Sequence, residues 1–231
     1  MSSQIETATP GLGAVEILNG DQRLACILVL DTSGSMTGER IQGLNSGLIE
    51  LQKALADNEI AKARVEVALL TFNNQIELIR DFALPDNFEP PTLVAGGQTH
   101  LGTALLRALD ELGKRKEVYK KNGLPYNRPW LFLITDGQPE GEDPSKIEEA
   151  GRALREAEAK KQAIVWAVGV GDGVNYDLLR TTFGKEPARL KGAKWSEMFQ
   201  WLSNSTMVAS QSNSGDKVKL ATPAGWAEFE E

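Results

Sequence analysis

Apolar positions along this chain follow two alternating rhythms. Residues 24–30, 65–72, 130–135 and 163–170 are apolar almost throughout. Runs of that length without a polar side read as strands buried on both faces, as in a parallel sheet. Residues 75–82 are also β-rich, and Asn73-Asn74 separates them from the run before. They read as the returning arm of a hairpin, hence as an antiparallel edge strand. Between the strands the period becomes helical. Ile41, Leu44, Leu48, Leu51 and Leu55 recur at helical spacing, and so do Leu101, Leu105, Leu109 and Leu112.

A third helix is expected over residues 144–161, with Ile147, Ala150, Ala153 and Leu154 facing inward. Pro144 suits its first turn and Asp143 its N-cap. Shorter helices are expected over residues 176–182 and 195–205. Trp195 and Phe199 lie at helical spacing in the last of these and, with Trp201, read as core. Strands alternating with helices give the α/β class: a doubly wound, mostly parallel central sheet with one antiparallel edge strand and helices on both faces. The expected organisation is an N-terminal extension over residues 1–20, one domain over 21–208 and a C-terminal tail over 209–231. The end of that tail reads as loose chain or as a final strand laid on the domain.

Composition narrows the function. With 231 residues, 41% of them apolar, the chain can bury one substantial core with little left for a second. A formal net charge of −7 argues against binding nucleic acid. The densest basic cluster, Lys114-Arg115-Lys116 with Lys120-Lys121, is interleaved with Glu111 and Glu117 and reads as a solvated helix face. Cys26 is the sole cysteine, which excludes an internal disulfide; its apolar strand marks it as a buried thiol. Residues 1–10 have neither the basic nor the apolar region of a signal peptide. No apolar run approaches the roughly 20 residues of a membrane span. The expected location is cytoplasmic, away from membranes.

The chemistry collects where the strands end. The first apolar run empties into Asp31-Thr32-Ser33-Gly34-Ser35, one carboxylate and two hydroxyls spaced two apart. Asp136 follows the third run, and Thr99 stands in the Gly96-Gly97-Gln98-Thr99 loop just before a long helix. In an open α/β sheet, ligands bind at the carboxyl ends of strands. The topology opens all three loops on that edge, so Asp31, Ser33, Ser35, Thr99 and Asp136 are expected to converge. Oxygen-only groups suit a hard divalent cation such as Mg²⁺, with Mn²⁺ or Ca²⁺ as substitutes. His100 beside Thr99 is a poor ligand for such an ion and is expected to face the surface or a partner. The segment carrying Phe82, Phe88 and Pro90-Pro91 is a long loop beside the ligand edge, where recognition residues often lie.

Three patterns together resemble the von Willebrand factor A (VWA) family and its metal-ion-dependent adhesion site. They are D-x-S-x-S from Asp31 to Ser35, G-x-T-x-x-G-x-A-L from Gly97 to Leu105, and T-D-G from Thr135 to Gly137. The resemblance implies that Ser33, Ser35 and Thr99 meet Mg²⁺ through hydroxyls while Asp31 and Asp136 act largely through waters. Neutral hydroxyls leave the ion's charge poorly neutralised, so it attracts one further anion: an Asp or Glu of a partner protein. The wording around Arg23–Ile41, the Thr135–Pro139 turn and the late Trp195, Phe199, Trp201 and Gly225-Trp226 is similar to the bacterial tellurite-resistance TerY-like members. Those are cytoplasmic and associated with stress-response clusters encoding a phosphatase and a kinase. Other cytoplasmic members serve AAA+ ATPases. The implied function is therefore a non-enzymatic interaction module.

One loop points elsewhere. Gly171-Asp172-Gly173, followed by Asn175 and Asp177, resembles the last acidic motif of Mg²⁺-dependent haloacid-dehalogenase-type phosphatases. Such enzymes need a second carboxylate where Ser33 stands, and a serine cannot protonate a leaving group at neutral pH. The simpler expectation is a tight turn, with Gly171 and Gly173 at positive φ and Asp172 capping the next helix.

Overall fold

The computed structural model describes residues 21–212 and 219–228. The expected extension over residues 1–20, and residues 213–218 and 229–231 of the expected tail, lie outside them.

Seven strands form one sheet: β1 (Leu24–Asp31), β2 (Val65–Phe72), β3 (Ile76–Ala83), β4 (Trp130–Thr135), β5 (Ile164–Val170), β6 (Ala188–Leu190) and β7 (Ala227–Glu228), in the order β3-β2-β1-β4-β5-β6-β7. The neighbours β2, β1, β4, β5 and β6 run parallel. Every residue of β1, β2 and β4 is buried, which is why their sequences are apolar without alternation. β3 returns antiparallel along β2 and forms one edge, as the Asn73-Asn74 turn predicts. In that turn Gln75 N donates to Asn73 Oδ1 at 2.7 Å, the local bond that makes Asn a turn former. The other edge is closed by β7, antiparallel to β6.

Six helices cover the faces: α1 (Glu39–Ala56), α2 (Glu59–Arg64), α3 (Leu101–Lys121), α4 (Pro144–Ala159), α5 (Tyr176–Phe183) and α6 (Trp195–Gln211). One core lies between the sheet and α1 with α6, where Leu44, Leu48, Leu51, Met198, Phe199 and Leu202 are buried. The other lies beneath α3, α4 and α5, around Leu101, Leu105, Leu112, Leu154 and Leu179. Helices on both faces of a mostly parallel sheet make this the doubly wound architecture. α4 begins as expected: Asp143 accepts from Ser145 N at 2.9 Å, with Pro144 in the first turn.

Three expectations change. Arg115 is not on a solvated face. It is buried, donates to Glu66 at 2.7 Å and lies 5.6 Å from the centroid of Phe82. Glu66 in turn pairs with Arg23 at 3.5 Å and accepts from Tyr119. An ionic group inside β2 thus draws one basic residue of α3 inward, while Lys114 and Lys120 stay exposed. Phe82 and Phe88 are also core rather than recognition residues. Asn45 clamps the following chain, accepting from Leu93 N at 2.8 Å and donating to Leu93 O at 3.0 Å. Finally, Asn175 rather than Asp172 caps α5, accepting from Leu178 N at 3.0 Å. Gly171 has positive φ, 85°, but Gly173 does not.

The chain crosses from one side of β1 to the other between β2 and β4, so the topological switch point lies beside the carboxyl end of β1. That geometry leaves a crevice where two strand-end loops diverge.

Candidate metal centre

Asp31 is the last residue of β1 and is fully buried. Its Oδ1 accepts from Ser33 N at 2.8 Å and its Oδ2 from Thr135 Oγ1 at 2.5 Å. Burial pushes the Asp31 carboxyl above its ordinary pKa. The bonds from Ser33 and Thr135 pull it back, and the nearby Asp136 charge adds a small upward push. After β1 the chain makes a 3-10 turn over Gly34–Met36 that throws Ser33 and Ser35 to one side. Their hydroxyl oxygens stand 3.0 Å apart. Ser35 Oγ donates to Asp136 Oδ1 at 2.7 Å, joining the first loop to the loop after β4.

Thr99 reaches the same place through backbone stitching. Gly96 N donates to Thr32 O at 2.8 Å and Gly34 N to Gly97 O at 3.0 Å. Thr99 and Glu140 exchange backbone bonds of 3.1 and 3.0 Å, and His100 N donates to Asn73 O at 2.9 Å. Gly97 makes this crossing possible. It has a φ of 86°, and a Cβ there would lie 2.2 Å from Asn74 Oδ1. Glu142, a residue the sequence patterns did not single out, accepts from Gly102 N at 2.6 Å and Thr103 N at 3.1 Å. It caps α3 from the loop after β4, favoured by the helix dipole, and so ties two of the three loops together.

The best measure of convergence is a point in space. A Cβ built on Gly137 would lie 3.5 Å from Ser35 Oγ, 3.7 Å from Thr99 Oγ1 and 3.8 Å from Asp31 Oδ2. Oxygens from the loop after β1 and from the Thr99 loop therefore meet at one point on the loop after β4, where glycine carries no side chain. Adjacent ligands of an octahedral ion at 2.0–2.1 Å are about 2.9 Å apart. The 3.0 Å separation of the Ser33 and Ser35 hydroxyls is compatible with that spacing. The donor set, three hydroxyls and two carboxylates, fits a hard divalent cation and offers nothing to a soft one. Among the described residues no three His, Cys, Asp or Glu side chains gather as a metal cluster.

Two neighbours complete the surroundings. Arg40, the second residue of α1, donates through Nη1 to Asp136 Oδ2 and to Ser35 O, the latter at 3.2 Å. His100 is half-buried, and its Nε2 is enclosed without a hydrogen-bond partner, so that nitrogen does not face the surface. Asp172 is exposed on the loop after β5. Val94, 80% exposed, stands two residues before Gly96 at the rim.

Comparison with known proteins agrees with this architecture. The sequence matches the profile of the von Willebrand factor type A domain over residues 26–197. It is 31% identical over 163 residues to inter-alpha-trypsin inhibitor heavy chain H4 of Sus scrofa, covering 66% of this chain and 16% of that protein. Among solved structures it is similar to a von Willebrand factor type A protein from Catenulispora acidiphila, with a TM-score of 0.64 and 15% identity over 81% of this chain and 43% of that one. It also resembles the vWF domain of the type V pili tip protein Mfa5 from Porphyromonas gingivalis, with a TM-score of 0.62 and 11% identity over 85% of this chain and 99% of that one. The chain thus spans less than half the length of the heavy chain and of the Catenulispora protein. With the profile covering well over half of its length, the chain belongs to the von Willebrand factor type A domain family.

Proposed function

We propose that this chain is a non-enzymatic protein-interaction module that binds an acidic side chain of a partner protein through a divalent cation. Domains of this family generally act as interaction modules and commonly bind such a metal. Ser33, Ser35 and Thr99 would hold the ion through hydroxyls, with Asp31 and Asp136 supplying negative charge around it. The observation that carries this reading is the meeting of Ser35 Oγ, Thr99 Oγ1 and Asp31 Oδ2 within 3.8 Å of one point beside Gly137. Mg²⁺ is the preferred occupant, with Mn²⁺ or Ca²⁺ acceptable to the same oxygens. When bound, the ion supplies a Lewis-acid contact for a carboxylate from outside. The chain itself contributes rigidity: its loops are already bonded to one another, so little ordering is required on binding.

The partner belongs to a bacterial tellurite-resistance or stress-response system, as the likeness to TerY-like members suggests, and is a phosphatase, a kinase or an AAA+ ATPase. The setting is cytoplasmic, with the binding domain built on residues 21–208 and closed by the end of α6 and by β7. Among the described residues no helix is long and apolar enough to cross a membrane.

Affinity capture from a bacterial lysate with the wild type and Asp31→Ala, each with Mg²⁺ and with chelator, tests the proposal. Wild type should retain a partner only with Mg²⁺, and the variant should lose it while staying folded. Retention by both proteins under chelation contradicts it. Turnover of a generic phosphoester that disappears in Asp172→Asn would instead establish the phosphatase alternative.

A further inference from the structure

Arg40 occupies a place that local energetics do not favour. It lies in the first turn of α1, where the helix dipole disfavours a cation. Its guanidinium nevertheless crosses to the loop after β4, bonding Asp136 Oδ2 and the Ser35 carbonyl. The path is built to admit it. A Cβ on Gly171 would lie 2.7 Å from Arg40 Nη2, so the loop after β5 presents bare backbone to the guanidinium. Asp136 is fully buried whereas the Arg40 side chain is 36% exposed. A buried carboxylate stripped of its counter-charge is strongly destabilising, so some cation has to answer Asp136 whether or not a metal is bound. Ser35 already donates to the other Asp136 oxygen, and Arg40 is the cation that pairs with this carboxylate among the described residues.

We propose that Arg40 is the resident counter-cation of the candidate metal centre: it holds Asp136 in the metal-free chain and competes with the incoming divalent ion, thereby setting its affinity. The inference rests on the cation-binding reading above. Like charges repel, so a divalent ion would bind against the guanidinium as well as toward the carboxylates. Arg40 also fixes the character of the loaded site. The two carboxylates balance a divalent ion, and the guanidinium tethered at the start of α1 then leaves one net positive charge for an anionic partner to meet.

The test is Mn²⁺ binding, followed by electron paramagnetic resonance of the free ion, in wild type, Arg40→Met, Arg40→Lys and Thr99→Val. Arg40→Met should bind Mn²⁺ on the order of tenfold more tightly than wild type, the weight of one unit charge at a half-exposed position. Arg40→Lys, which keeps the charge but not the fork, should fall between them. In chelator, Arg40→Met should melt below wild type and recover on adding Mn²⁺. Equal or weaker Mn²⁺ binding by Arg40→Met overturns the role assigned to Arg40. If Thr99→Val still abolishes binding in that case, the cation site itself stands. If neither wild type nor Arg40→Met binds Mn²⁺, both proposals fall together.

Discussion

Thr135 shows how much of the site depends on groups that never touch a ligand. Its hydroxyl donates to Asp31 Oδ2, and both residues are fully buried. Thr135→Val keeps the shape but leaves a buried carboxylate oxygen short of a donor, at a cost of about 1–3 kcal/mol. Urea unfolding in chelator should show that loss, and Thr135→Ser should restore most of it. Cys26 offers a second prediction at this scale. Burial raises its thiol pKa from 9.0 to about 12. In the unfolded chain the thiol ionises first, so the folded state binds more protons between those values and stability falls as pH rises. The wild type should lose stability relative to Cys26→Ala across about pH 9 to 12, by at most about 1.4 kcal/mol per pH unit. Parallel stability curves for the two proteins would show that the thiol does not titrate in this way. The five oxygen-bearing residues were legible because strand ends and motif spacing announce them. Arg40, Thr135 and Glu142 were not, because their roles depend on which loops meet in space.

At the scale of elements, the packing of α1 on α6 turns on two glycines. A Cβ on Gly47 would lie 2.1 Å from Phe199 Cδ2, and one on Gly43 would lie 2.3 Å from Trp195 Nε1. The aromatic side chains of α6 lie directly on bare backbone of α1. Gly47→Ala should cost about 1–3 kcal/mol by overpacking, measured by urea unfolding. Gly113, in α3, provides the contrast, because a Cβ there would meet nothing within 4 Å. Gly113→Ala should stabilise by up to about 1 kcal/mol, the ordinary gain of replacing a helical glycine. A similar response at both positions would refute the close-packing explanation for Gly47. The buried strands and long helices were readable because their runs are long enough to carry a clear period. The three-residue β6 and two-residue β7 carry none; beside β7, Trp226 is buried with its ring centroid 5.4 Å from that of Trp201. The inward turn of Arg115 was equally hidden, since its partner Glu66 lies 49 residues away.

For the molecule as a whole, sheet order decides where chemistry can occur. Because β1 lies between β2 and β4, the loops after β1 and β4 open side by side, and the Thr99 loop is laced across them. The alternation of strands and helices revealed this class of fold, while the backbone bonds that fix the loops are invisible in any sequence pattern. Calorimetric titration of the wild type and Thr99→Val with Mg²⁺ tests the central proposal most directly, because valine copies the shape of threonine without its hydroxyl. Wild type should bind at a single saturable site, and Thr99→Val should bind at least about tenfold more weakly with an unchanged melting temperature in chelator. Indistinguishable titrations, or no saturable heat from the wild type, would contradict a cation held by these five side chains.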